Sequence, residues 1–244
     1  MQFVSPRFWI GFFSLLASGS LLGGTTPDYS TYNALLQKYS RPDGVLYASW
    51  HASQSDRKRL TEVLNDFGSV PYEDLTSAEA TAFLINLYNA AMIDQVLQSY
   101  PIDSVQSIGV LPFSVFRTNS ITLNGRPVSL DTIEKEILLK EYPDPRIHFA
   151  INCASKSCPP LRSEAFVPDQ LDQQLDEQAR LFANSPHAVK TGKSAAYSQL
   201  FQWYDQDFPG NHPADYLNKY RDSPLPTNSS VEWIEYDWSL NEAN

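Results

Sequence analysis

Apolar residues recur at helical spacing in several stretches of this chain, and turn-forming residues separate them. Leu35, Leu36 and Tyr39 predict a short helix over residues 31–39. Leu60, Val63, Leu64 and Phe67 mark an amphipathic helix over 55–67, after a strand expected over 44–50. The clearest helix begins at Thr76, which stands three residues before Glu79 as a capping box, and it is expected to run to about Ser99, where Pro101 ends it. Phe83, Leu84, Leu87, Tyr88 and Ala91 are its apolar stripe, while Asn86 and Asn89 share another face. Asn124-Gly125 between two short apolar runs predicts a hairpin over 121–128.

Farther along, Ser129 or Asp131 is placed to cap a helix reaching Glu141, and residues 147–152 read as a strand. A helix rich in Asp and Gln is expected over 168–183. Weaker helical patterns cover 198–208 and 213–221, and a late strand covers 231–238. Helices and strands mix without regular alternation. This predicts an α+β single domain, several short helices packed on a small, mostly antiparallel sheet.

The first 25 residues stand apart. Arg7, the apolar run from Phe8 to Leu16 and the small residues after it have the form of a signal peptide, leaving residues 26–244 as the mature domain. The run is shorter than the roughly 20 apolar residues of a membrane span, so no stable span is expected after cleavage. Export to a periplasmic or extracellular setting is the corresponding expectation. The net charge of −10 and the lack of a basic cluster argue against a nucleic-acid partner.

Reactive side chains concentrate in residues 144–160. Asp144, Arg146, His148, Asn152 and both cysteines of the chain, Cys153 and Cys158, fall there. If 147–152 is a regular strand, Arg146, His148 and Asn152 share one face, and the geometry favours Cys158, from the following loop, over Cys153 for a Cys–His pair. Four states of the thiols stay open. Export favours a Cys153–Cys158 disulfide. A histidine neighbour favours a thiolate nucleophile. A metal site is disfavoured, because Cys-x4-Cys lacks a second ligand pair at zinc-like spacing. Two unpaired buried thiols complete the set. No cofactor is implied.

The Cys-Ala-Ser-Lys-Ser-Cys-Pro motif of residues 153–159, with the segments 82–89, 129–134, 144–161, 171–175, 198–208 and 236–241, resembles the bacterial family labelled domain of unknown function 547. The resemblance runs from about Tyr39 onward and departs at Leu84, where a tryptophan is expected. It implies no activity. Two functions therefore stand side by side. One is an exported thiol-dependent hydrolase or acyl transferase acting on peptide or cell-envelope material, with Cys158 as nucleophile, His148 as base and Asn152 orienting. The other is a non-enzymatic envelope domain whose disulfide holds a pocket lined by Asn86, Asn89, Arg146 and Asp144 for a small-molecule or peptide ligand. Asp131 and Glu134 read as first-turn helix residues. Asp205 and Asp207, beside Trp203 and Tyr204, read as a solvated acidic turn.

Overall fold

The computed structural model describes residues 27–192 and 195–243; the signal-peptide expectation lies outside them. Helices α1 (Ser30–Tyr39), α2 (Tyr47–Ala52) and α3 (Gln54–Gly68) open the described chain. Strands β1 (Ser40–Arg41) and β2 (Gly44–Val45) form a short antiparallel ladder between α1 and α2. The strand expected over 44–50 is thus only two residues long, because the chain turns into α2 at Tyr47. A side chain at Gly44 would collide with the Asn241 carbonyl, so the backbone approach there requires glycine.

Helix α4 (Ser77–Ser99) is the axis of the molecule. Its capping box is formed as the sequence predicts, with Thr76 Oγ1 accepting from the Glu79 amide and Glu79 accepting from the Thr76 amide. Every residue from Ala80 to Ile93 is buried, so the helix is surrounded rather than laid on a surface by one stripe. α1, α2 and α3 pack around it with Leu35, Trp50, Leu60 and Phe67 in a common core.

The tight hairpin of β3 (Ile121–Leu123) and β4 (Arg126–Val128) follows the short helix α5 (Ser114–Arg117). Asn124 and Gly125 take the positive φ values that the turn needs. Ser129 Oγ then accepts the Thr132 amide at 3.1 Å and opens a helix whose first part, Thr132–Leu138, is π-helical before it tightens into α6 (Leu139–Glu141). A π-helical stretch inside a helix frequently marks a functional site.

Residues 147–152 are not a strand. Ile147–Ala150 is a single helical turn, α7. Asp144 explains the difference: its Oδ1 accepts the Arg146 amide at 2.8 Å and its carbonyl accepts the Ile147 amide at 3.0 Å, starting a turn that Pro145 is suited to continue. Arg146 then ties the turn to α8 (Leu171–Ala183) through Asp172 and Asp176. Phe149 stacks on Phe182 at 5.0 Å, within a second core of aromatic rings that includes Phe201, Phe208 and Tyr216. Tertiary burial of Phe149 and the Asp144 turn together outweigh the β-type pattern of Ile147, Phe149 and Ile151.

The remaining strands, β5 (Val189–Thr191), β6 (Ala195–Ser198) and β7 (Glu232–Ile234), make one sheet, antiparallel between β5 and β6 and parallel between β6 and β7. α9 (Leu200–Trp203) and α10 (Pro213–Leu217) lie between β6 and β7 in the chain. The domain is α+β, but its sheets are peripheral and α4 is its centre. Among the described residues no helix is long and apolar enough to cross a membrane.

Candidate functional site

A cleft of about 630 Å³ opens where the two cores meet, with Tyr88 and Ile151 from the first core and Leu200 and Tyr236 from the second in its walls. His148, Cys153, Cys158 and Glu134 also line it. One wall is aromatic. Trp203 stacks near Trp238 at 5.8 Å, and Trp238 also meets Tyr236 at 4.5 Å and Phe113 at 4.7 Å.

His148 reaches the cleft because α7 is helical, which turns it away from Phe149 by about 100° rather than to the opposite face. It is buried, and its Nε2 lies 2.8 Å from Asp207 Oδ2. Its ring packs 4.2 Å from that of Tyr204. Burial pushes the imidazole below its usual pKa of 6.5, against the opposing pull of Asp207 and Glu134. The ring is therefore neutral near pH 7, the state in which it can accept a proton.

Cys153 and Cys158 are both free thiols, so the expected bridge is not formed. Local hydrogen bonds engage both sulfurs as thiols. Cys158 Sγ accepts the Cys153 backbone N–H at 2.9 Å, and Cys153 Sγ lies 3.1 Å from Ser155 Oγ and 3.4 Å from the Tyr236 hydroxyl. The two sulfurs then titrate in opposite directions. Burial raises both, but hydrogen bonds from Cys158, Ser155 and Tyr236 outweigh it at Cys153 and bring that thiol down to about 7. Cys158 is pushed up by burial and by its neighbour's charge. Cys153, half-buried, is thus the thiol with the lowered pKa, and Cys158 is buried. The strand on which the sequence-based preference for Cys158 as nucleophile rested is not formed. Ala154, next in the chain, has a φ of 59°, a conformation rare for a residue other than glycine.

The amides expected at the site hold backbone instead. Asn89 donates to the Ala150 carbonyl at 2.9 Å and accepts the Asn152 amide at 2.8 Å, fixing the exit of α7. Asn86 pairs in the same two-bond manner with Phe166, away from residues 146–152. Asn152 donates to the Pro159 carbonyl at 2.7 Å and accepts the Ala154 amide at 2.9 Å, so it shapes the thiol loop. Arg146 and Asp144 form an ion pair that anchors α7. None of these five lines the cleft.

Two acids read otherwise from the sequence, Asp207 as part of a solvated turn and Glu134 as a first-turn helix residue, belong to the site, Glu134 in the cleft wall and Asp207 behind His148. Asp207 bonds His148 across 59 residues of sequence. Glu134, on the π-helical turn, is buried, and its two oxygens accept the hydroxyls of Tyr204 at 2.6 Å and Tyr88 at 3.2 Å. The sequence signal for the first was Asp207 lying beside Tyr204 and Trp203; for Glu134 only the position one turn into a capped helix was visible. Among the described residues no group of three or more His, Cys, Asp and Glu side chains is placed to hold a metal ion.

Residues 72–183 match the family model described as "Protein of unknown function, DUF547". No curated protein and no solved structure matches the chain.

Proposed function

Because residues 72–183 belong to that family, whose description assigns no activity, we propose from the cleft itself that the protein is a thiol-dependent acyl-transfer enzyme, a hydrolase or acyl transferase. The observation that carries this reading is the convergence, in one cleft, of the Cys153 thiol and a histidine held by a carboxylate, His148–Asp207. A nucleophile, a base and a group that orients the base are the parts such chemistry needs.

The steps follow from these groups. Cys153 sulfur attacks an acyl carbonyl while its proton passes to His148. Asp207 occupies Nε2, so Nδ1 is the nitrogen that takes the proton. The imidazolium then gives that proton to the leaving group as its bond to the acyl carbon breaks. Water or an amine next attacks the thioester, and the Cys153 thiol is restored. Tyr236, whose hydroxyl is held protonated by burial, is a neutral donor 3.4 Å from the sulfur. The N-terminal sequence pattern supports a role outside the cytoplasm, on peptide or envelope material. Intact mass of protein from its native compartment tests export: a mass including residues 1–19 overturns it.

A chromogenic acyl ester such as 4-nitrophenyl acetate tests the chemistry. The expected result is a burst of 4-nitrophenolate, with an acyl group on Cys153 by peptide mapping. Both are lost in Cys153→Ser and retained in Cys158→Ala. Acylation that is unchanged in Cys153→Ser overturns the proposal.

The aromatic wall favours a second reading. Stacked Trp203 and Trp238 present a surface for a planar or sugar ring, and a binding domain would use them without turnover. Ligand affinity lost in Trp203→Ala, with no acylation of Cys153 under any condition, would support it.

A further inference from the structure

Glu134 has no role in the steps above, although it is 7% exposed and lines the same cleft. Both its oxygens accept hydroxyls, the hydrogen-bonding pattern of a carboxylate anion. Those hydroxyls cannot neutralise it. Burial, together with the Glu134 charge itself, pushes the pKa of both Tyr88 and Tyr204 upward, so each remains a neutral donor.

Among the described residues no Lys, Arg or His forms an ion pair with Glu134. Lys135, next in sequence, turns to Asp131 at 2.8 Å, and Arg117 donates to the Pro112 carbonyl at 3.1 Å. His148 is committed to Asp207 through Nε2 and is kept neutral by burial. A buried anion without a cation is electrostatically costly, and its cost falls when a cation arrives from the open side. A carboxylate offers about four acceptor positions, of which two are filled here. The rings of Tyr88 and Tyr204 also border the cleft, and aromatic faces attract cations.

We propose that the cleft binds a substrate bearing a protonated amine, an amino-acid or peptide-derived acyl compound whose ammonium group sits against Glu134 between Tyr88 and Tyr204. This rests on the acyl-transfer reading for the word acyl, and on Glu134 alone for the ammonium. A carboxylate or phosphate in that position would be repelled.

Binding without turnover separates the two. The probes are phenethylamine, a cation at pH 7, its neutral isostere 2-phenylethanol and the anion 3-phenylpropionate. Each is titrated against the full chain carrying Cys153→Ser, by quenching of indole fluorescence. The amine is expected to bind about tenfold or more tightly than the alcohol, with the anion weakest. In Glu134→Gln the preference for the amine should vanish while the alcohol binds as before. Equal affinity of amine and alcohol in the protein with Glu134 intact overturns the proposal, and that result needs no variant at position 134 to fold. A preference that survives Glu134→Gln overturns it as well. An amine preference without acylation of Cys153 in the ester assay leaves the ammonium site standing and removes the thiol chemistry. Acylation of Cys153 without an amine preference does the opposite.

Discussion

Asp56 and Glu134 are both buried carboxylates, and they are held in opposite ways. Asp56, on α3, meets Lys38 at 2.6 Å, the Tyr39 hydroxyl at 2.7 Å and Arg59 at 3.3 Å, so cations and a hydroxyl satisfy it from two helices. Among the described residues Glu134 has two hydroxyls, no ion-paired cation and a cleft in front of it. The Lys38 and Tyr39 hydrogen bonds hold the Asp56 carboxyl well below the usual carboxylate range. A fully compensated charge joins parts of a fold; an uncompensated one at a cavity is available to something that enters. The same division runs through the polar residues near the thiols. Asn86, Asn89, Arg146 and Asp144 have their partners within the protein, whereas His148 and Cys153 border open space.

The largest expected effect is on the cleft side. His148→Ala should slow acylation of Cys153 by about 10²–10⁴-fold, the range for loss of general acid–base assistance, as read from the ester burst. Asn89→Ala should do the reverse and act on stability. It orphans the buried Ala150 carbonyl and Asn152 amide, at about 1–3 kcal/mol for each unsatisfied group, measured by urea unfolding. An acylation rate that is destroyed in Asn89→Ala protein still folded under the assay conditions would break the division between holding and reacting groups. Asp56→Ala is expected to cost less than the amide, about 1–3 kcal/mol for the orphaned Tyr39 hydroxyl, with Cys153 alkylation unchanged.

The smallest effect is in the pH dependence of stability, and it sharpens the contrast. His148 has a folded pKa below its ordinary 6.5, so at pH below 6.5 the unfolded chain binds more protons there than the folded one. Its contribution is flat above that value and turns unfavourable as pH falls from 6.5 toward the folded pKa. Asp56 also has a depressed folded pKa, but its unfolded value is near 3.8, so its stabilisation is intact above about pH 5 and is lost on acidification through and below 3.8. An upper step below pH 6.5 from His148, to which His187 with its own lowered pKa adds, and an acidic step from Asp56 are therefore expected in urea midpoints measured against pH. His148→Gln should shrink the upper step and leave the acidic one. An unchanged upper step in that variant would show that His148 is not held as described.

Local chemistry was legible in the sequence wherever neighbours along the chain decide the structure. The Thr76–Glu79 capping box, the start of α4, the Asn124-Gly125 turn and the opening of the Thr132 helix by Ser129 all involve residues within three or four positions of each other. The crowding of reactive side chains between Asp144 and Pro160 was visible for the same reason, and it located one wall of the cleft. Its internal geometry was not. Residues 147–150 alternate like a strand, yet an Asp144 turn and the burial of Phe149 against Phe182 make them helical, and that change removes the strand geometry that favoured Cys158 over Cys153 as the partner of His148. The partners that give the site its character come from far along the chain. Asp207 meets His148 across 59 residues, Tyr204 meets Glu134 across 70, and Tyr236 meets Cys153 across 83. Burial and hydrogen bonding at such separations depend on how α4 and the second aromatic core come together, so tertiary packing, not local sequence, decided which carboxylate is compensated and which thiol is lowered.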